Sequence, residues 1–125
     1  MIKIAPSILD VDLLSINNKV RHLDNAGADY IHIDVMDGNY VPNISFGPQV
    51  ISSLKNITSK VLDVHLMIKP VRPLINEYIN SGSDIISFHP EADSETDQII
   101  KIINDSNVKS GIALHPKIIV ADIQH

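Results

Sequence analysis

Apolar residues follow two alternating rhythms along this chain. Short, dense runs rich in Ile, Val and Leu suit extended strands, and longer stretches with apolar residues three or four apart suit helices. Residues 2–8 (IKIAPSI) read as a first strand. Leu13, Ile16, Val20 and Leu23 then recur at helical spacing, and Gly27 follows as a helix stop. Residues 30–35 form the next strand, followed by a polar loop with Gly, Asn and Pro (MDGNYVPNISFG). Pro48 suits the first turn of a short helix reaching about Leu54. Residues 61–68 (VLDVHLMI) predict another strand, Pro73 opens a helix through Ile79, and Gly82 ends it. Residues 85–89 (IISFH) predict a further strand. Ser94 with Asp97 resembles a capping box before a helix carrying Ile99, Ile100, Ile102 and Ile103. Residues 109–114 (KSGIAL) are the last predicted strand.

An internal echo supports this division. NAGADYIHID (25–34) matches NSGSDIISFH (80–89), 55 positions further on. Both run Asn, small, Gly, small, Asp and then a strand, and the interval is the length of two strand–helix units. Strands alternating with helices at this spacing imply right-handed crossovers and a parallel sheet. The pattern leaves two architectures open, an open doubly wound sheet and a (β/α)8 barrel, of which about four and a half units are present.

The 125 residues suffice for a single domain. Apolar residues make up 44 %, mostly Ile, Val and Leu, and aromatics only 4 %, a bias that suits β-rich or α/β interiors. The formal net charge is −5, and no Lys/Arg cluster offers itself to nucleic acid or to an anionic membrane. There is no cysteine, which removes disulfides and thiolate metal sites from consideration. The N-terminal stretch lacks the pattern of a signal peptide, and no apolar run reaches the roughly 18 residues of a membrane helix. The expectation is a soluble cytoplasmic protein.

The stretch YIHIDVMDG (30–38) sets a chemical question, because polar side chains punctuate an apolar strand. His32 and Asp34 point the same way, about 6.6 Å apart along the strand, and Met36 continues that face. Asp63, His65 and Met67 share one face of a second strand. Strands about 4.8 Å apart let an imidazole from each and one carboxylate converge on a single ion. Neutral imidazole suits Zn, Fe, Mn or Co, and the carboxylate adds charge. These residues lie towards the carboxyl ends of their strands, where parallel α/β folds place active sites. A hydrogen-bonded buried pair is the plainer explanation of His32 and Asp34 alone; the second histidine is what favours an ion. Asp63 is either an outer partner of the site or, as the favoured structural reading, an ion-pair partner of Lys3. Met36 and Met67 are apolar fillers or a dry wall around a reacting carbon. His89 replaces Asp34 in the echo and reads as a satisfied loop histidine, with a lining role as the alternative. His22 is expected to face solvent mid-helix; His115 and His125 have no such constellation. Ser7, at the end of the first strand, is a turn serine or a hydroxyl for a substrate oxygen.

APSILDVD (5–12), HIDVMDGNYVPNISFGP (32–48), DVHLMI (63–68) and ISFHPEA (86–92) together resemble the ribulose-phosphate 3-epimerase family. The similarity runs from the first strand to about Leu114. It is weaker at GIALHP (111–116), where the family usually has Asn in place of His115, and looser beyond Pro116. The resemblance implies a TIM barrel, with residues 1–125 as the N-terminal half of a ribulose-phosphate-binding domain. It implies an isomerase of the pentose phosphate pathway that interconverts D-ribulose 5-phosphate and D-xylulose 5-phosphate. It implies one divalent cation, with His32, Asp34 and His65 as ligands, Asp34 as the base at carbon 3, and Ser7 and His65 in contact with substrate. In the family a further Asp on the seventh strand is both fourth ligand and second acid, and glycine-rich turns after strands seven and eight hold phosphate; neither has a counterpart here. Open sheet edges then lead to the expectation of an oligomer or a complementary chain. The alternatives are an inactive fragment that at most binds metal or sugar phosphate, a sugar-phosphate-binding module, and an allulose-phosphate epimerase.

Overall fold

A computed structural model describes residues 1–123; His125 lies outside them. Four strands, β1 (Tyr30–Met36), β2 (Val61–Met67), β3 (Ile85–Phe88) and β4 (Lys109–Ile112), form one parallel sheet in the order of the chain. They alternate with α1 (Ile16–Asn25), α2 (Pro48–Lys55), α3 (Ile75–Asn80) and α4 (Thr96–Asp105).

The strand order decides between the two architectures left open by the sequence. Right-handed crossovers that always step in the same direction put every helix on one face of the sheet. That face is the core. Ile31, Ile33 and Val35 of β1, Leu62, Val64 and Leu66 of β2, and Ile86 and Phe88 of β3 are all buried. They belong to one cluster with Val20, Ile51, Leu54, Ile75, Ile99 and Ile103 of the helices. A doubly wound sheet reverses direction and buries both faces. Here the alternate residues of β1 and β2 are only half-buried, so this is the single-layered winding of a TIM barrel. The polar residues that interrupt the strands occupy the face that a barrel turns inward.

The predicted first strand is a correction. Residues 4–8 do run parallel to β1, with Tyr30 N–H donating to Ile4 O at 3.2 Å, His32 N–H to Pro6 O at 2.9 Å and Ile8 N–H to His32 O at 3.1 Å. Pro6 has no N–H to give to β1, so the ladder is interrupted there and only Ser7 and His32 form a β-bridge. The capping box is a second correction. The residue before α4 is Glu95, and no side chain caps the helix. Asp93 shapes the entry instead, its carboxylate accepting from the backbone N–H of Glu95, Val71 and Arg72. Helix α3 starts two residues after Pro73, and the later strands end one or two residues earlier than the apolar pattern suggests, as element ends commonly do.

The internal echo has a physical counterpart. Gly27 and Gly82 both adopt left-handed backbone, with φ of 86° and 99°, a conformation that glycine enters without steric cost. The Asp two residues later holds the start of the preceding strand segment. Asp29 accepts from Ile4 N–H at 2.9 Å and pairs with Lys3 at 2.7 Å. Asp84 accepts from Leu62 N–H at 2.8 Å and pairs with Lys55 at 2.6 Å. Lys3 is therefore the partner of Asp29 and not of Asp63, which corrects the favoured reading of Asp63.

At the other end of the sheet, carboxylates tie the loops after the strands to one another. Asp37 accepts from the backbone N–H of Asn39, Tyr40 and Lys69 at 2.7–2.8 Å. These bonds hold the Asp37 carboxyl below its usual range although burial pushes it up. Gly38 is required between them: its φ is 73°, and a Cβ there would stand 2.9 Å from Ile44 Cγ1. Tyr40 extends from the same loop to Glu91 after β3, its hydroxyl donating at 2.7 Å. The DGNY segment is thus a brace that fixes the rim of the site.

Candidate metal centre and active site

Register across β1 and β2 builds the site. His32 stands beside Asp63 and Asp34 beside His65, all on the half-buried face, while Ser7 adjoins His32 from the N-terminal segment. Met36 and Met67 are neighbours one alternation further along.

Asp34 is the hub. Its Oδ1 lies 3.2 Å from His32 Nε2 and 3.3 Å from His65 Nδ1. Its Oδ2 accepts a 2.6 Å hydrogen bond from Ser7 Oγ. His32, Asp34 and His65 each offer one ligand atom, and those atoms lie within 4.8 Å of one another. Two imidazole nitrogens and a carboxylate oxygen form a donor set for a borderline divalent cation, unlike the all-oxygen sets of calcium or magnesium.

The ring of His32 is held at both nitrogens. Nδ1 is 2.8 Å from Asp63 Oδ2, and Nε2 faces Asp34. Ionised carboxylates only accept, so a ring that satisfies both carries two protons. Hydrogen bonding to Asp34, then to Asp63, raises the His32 pKa to about 9 against the opposing effect of burial. Reciprocally, hydrogen bonds from His32 and then His65, with Ser7 adding to them, hold the Asp34 carboxyl far below the usual carboxylate range although burial opposes this. Asp34 is therefore ionised at any ordinary pH. Were His32 to hold a cation through Nε2, its Nδ1–H would stay on Asp63, a hydrogen bond of the kind that fixes the tautomer of a ligating histidine.

Of the residues singled out from the sequence, Ser7, His32, Asp34 and His65 are brought together. Asp63 joins them as the outer partner of His32. His22 is exposed on α1, and His115 Nδ1 accepts from the backbone N–H of Lys117 at 3.3 Å. His89 departs from the satisfied loop histidine expected. It is buried, its Nε2 lies 3.0 Å from His65 Nε2, and its Nδ1 has no hydrogen-bond partner. Burial first, and then the neighbouring His65, push its pKa down. Tyr40 packs on the His89 ring with centroids 5.0 Å apart. No sequence signal singled out Tyr40 or Glu91; their pairing spans 51 residues.

Fold and site define half of a (β/α) barrel in which an ionised carboxylate stands between two imidazoles, a group that could hold a metal ion. The family comparison is specific: the model of the "Ribulose-phosphate 3 epimerase family" matches residues 3–125. The chain belongs to that family. It is 42 % identical over 125 residues to the ribulose-phosphate 3-epimerase of Bacillus subtilis, covering all of this chain and 58 % of the relative. With the Rhodobacter capsulatus enzyme it shares 39 % over 124 residues, 99 % of this chain and 54 % of the relative. With that of Escherichia coli it shares 43 % over 115 residues, 90 % of this chain and 51 % of the relative. The chain thus spans about half the length of the curated relatives it matches.

Proposed function

We propose that this chain supplies the metal-holding and proton-abstracting part of a ribulose-phosphate 3-epimerase site, an isomerase interconverting D-ribulose 5-phosphate and D-xylulose 5-phosphate through the proton on carbon 3. The observation that carries the reading is the meeting of His32, Asp34 and His65 on one face of two adjacent parallel strands, in a chain that belongs to this family.

The residues fit the chemistry. The proton on carbon 3 lies α to a carbonyl and is still far too weakly acidic for a carboxylate alone. A divalent cation (zinc, iron, manganese or cobalt) held by His32, Asp34 and His65 supplies Lewis acidity, stabilising charge that develops on the substrate oxygens. Asp34 is the base: it stays ionised, and Ser7 orients its second oxygen at 2.6 Å. Asp63 keeps the His32 ring turned so that Nε2 faces inward. Ser7 Oγ would also meet a substrate oxygen, while His65, whose Nδ1 faces Asp34 and whose Nε2 lies 3.0 Å from His89 Nε2, would border the substrate with its ring. Met36 and Met67 border the site on the same face and limit water at carbon 3. Inversion needs a proton donor on the opposite side of carbon 3, and the described residues contain one carboxylate poised as base.

We also propose that the chain acts as an oligomer or beside a complementary chain. The support is the half-buried, polar face of β1 and β2 and the position of β4 at the edge of the sheet. The cytoplasm is the proposed compartment; no helix among the described residues is long and apolar enough to cross a membrane.

The test is hydrogen exchange. Ribulose 5-phosphate incubated with the chain and zinc or cobalt in deuterated water is expected to gain deuterium at carbon 3, read by proton NMR. Metal uptake without exchange would overturn the catalytic reading and leave a metal-binding fragment.

A further inference from the structure

The ligand His65 has its own outer partner, and the proton transfer makes no use of it. His89 follows β3 directly and is 8 % exposed. Its Nε2 stands 3.0 Å from His65 Nε2, and the two rings are tilted by 36° with centroids 5.1 Å apart. Its Nδ1 is buried without a hydrogen-bond partner, and Glu91 Oε1 lies 3.6 Å away. Glu91 is in turn held by the Tyr40 hydroxyl at 2.7 Å.

Proton bookkeeping gives this chain a direction. Two ring nitrogens 3.0 Å apart must share a proton, one donating and the other accepting. His65 Nδ1 is the nitrogen that faces Asp34, so a neutral His65 ligating through Nδ1 carries its proton on Nε2. His89 Nε2 must then accept, which leaves the His89 proton on Nδ1, the atom on the Glu91 side. Tyr40, donating to Glu91 and packed on the ring, keeps the group from rotating. Asp63 does the equivalent for His32. The two imidazoles thus have outer partners of different kinds, a carboxylate for one and a neutral ring for the other.

We propose that His89 is a positioning residue of the metal centre: it accepts the Nε2 proton of His65 and so presents an unprotonated Nδ1 to the cation. The proposal rests on the reading of His32, Asp34 and His65 as the ligand set. Outer partners of ligating histidines commonly contribute about 10–100-fold to metal affinity, and this sets the size of the effect.

The experiment compares cobalt(II) binding by the wild-type chain, His89→Leu and His89→Gln, using competition with a chromophoric chelator and the visible cobalt spectrum. Leucine fills space without accepting a hydrogen bond; glutamine offers an amide oxygen near the original Nε2. The leucine variant is expected to lose about 10–100-fold in affinity and to change the cobalt spectrum, and the glutamine variant to recover most of both. Equal binding by wild type and the leucine variant, or no recovery with glutamine, would overturn the role of His89 alone. Absence of cobalt uptake by the wild type would overturn the ligand set, and the proposal with it. Should the leucine variant not fold, the wild type still decides. In the zinc-loaded chain with labelled histidine, NMR is expected to find His65 protonated at Nε2, coupled through that proton to an unprotonated His89 Nε2. A proton on His65 Nδ1 would refute the assignment.

Discussion

On the proposed ligand set, a cation would compete with a proton for one nitrogen of His32, and this gives the site a pH dependence of predictable sign. Without a cation, Nε2 lies 3.2 Å from Asp34 Oδ1 and Nδ1 lies 2.8 Å from Asp63 Oδ2. Hydrogen bonds to these two carboxylates raise the pKa of the ring from 6.5 to about 9. A folded-state pKa above the unfolded one contributes stability that is fully present below about pH 6.5 and is lost as the pH rises through about 9. Metal binding runs the other way, because the cation must displace the Nε2 proton. Below about pH 9 the His32 contribution weakens apparent affinity roughly tenfold per pH unit, so about 100-fold between pH 9 and pH 7. Asp34 adds nothing to this slope, since it is ionised throughout. Competition between the chain and a chromophoric chelator for cobalt(II), from pH 6.5 to 9.5, measures it. Affinity is expected to climb with a slope of at least one in log units and to bend near pH 9. In Asp63→Asn, which removes one of the two carboxylates, the bend is expected at lower pH and the affinity at high pH reduced about 10–100-fold. Affinity that is flat between pH 7 and 9 in the wild type would refute the doubly bonded His32.

Asp34→Asn is expected to abolish deuterium incorporation at carbon 3 while leaving the far-ultraviolet circular dichroism unchanged; retained exchange would remove Asp34 from the role of base. Ile33→Ala, at a fully buried position of β1, is expected to cost about 2–5 kcal/mol in urea denaturation, and a loss under 1 kcal/mol would contradict the packing described. Asp84→Asn weakens the hold on Leu62 N–H and on Lys55 and is expected to destabilise by about 1 kcal/mol. An unchanged denaturation midpoint would deprive the repeated Asp of its structural role. Sedimentation velocity is expected to find the chain associated with itself, and thermal melting followed by circular dichroism to be non-cooperative for any monomeric fraction; a single monomeric species that melts cooperatively would oppose the proposed assembly.

Much of this was legible in the sequence because it depends on local periodicity. The alternation of Ile31, Ile33 and Val35 with His32 and Asp34 is a pattern of period two, and such a pattern fixes which side chains share a face. The spacing of the echo likewise reveals repeated units, and its Gly and Asp proved to do the same work at both copies. What stayed hidden depends on pairing across strands and loops. Whether Asp63 meets His32 or Lys3 turns on the register between β1 and β2 and on Asp29, which takes Lys3. His89 reads as a loop residue until β3 is placed beside β2, where its ring falls against that of His65. Pro6 is visible in the sequence, yet its effect appears only when β1 lies alongside and lacks its donor. The Ser94–Asp97 pair failed because Asp93, bonded to the loop after β2, sets the start of α4 one residue later.

The most direct test of the central claim is the X-ray absorption spectrum of the cobalt-loaded chain, recorded for the wild type and for His32→Ala and His65→Ala. The account predicts one cobalt per chain with outer-shell scattering from two imidazoles, reduced to one in either variant. A wild-type spectrum without imidazole scattering, or one unchanged by either substitution, would contradict it.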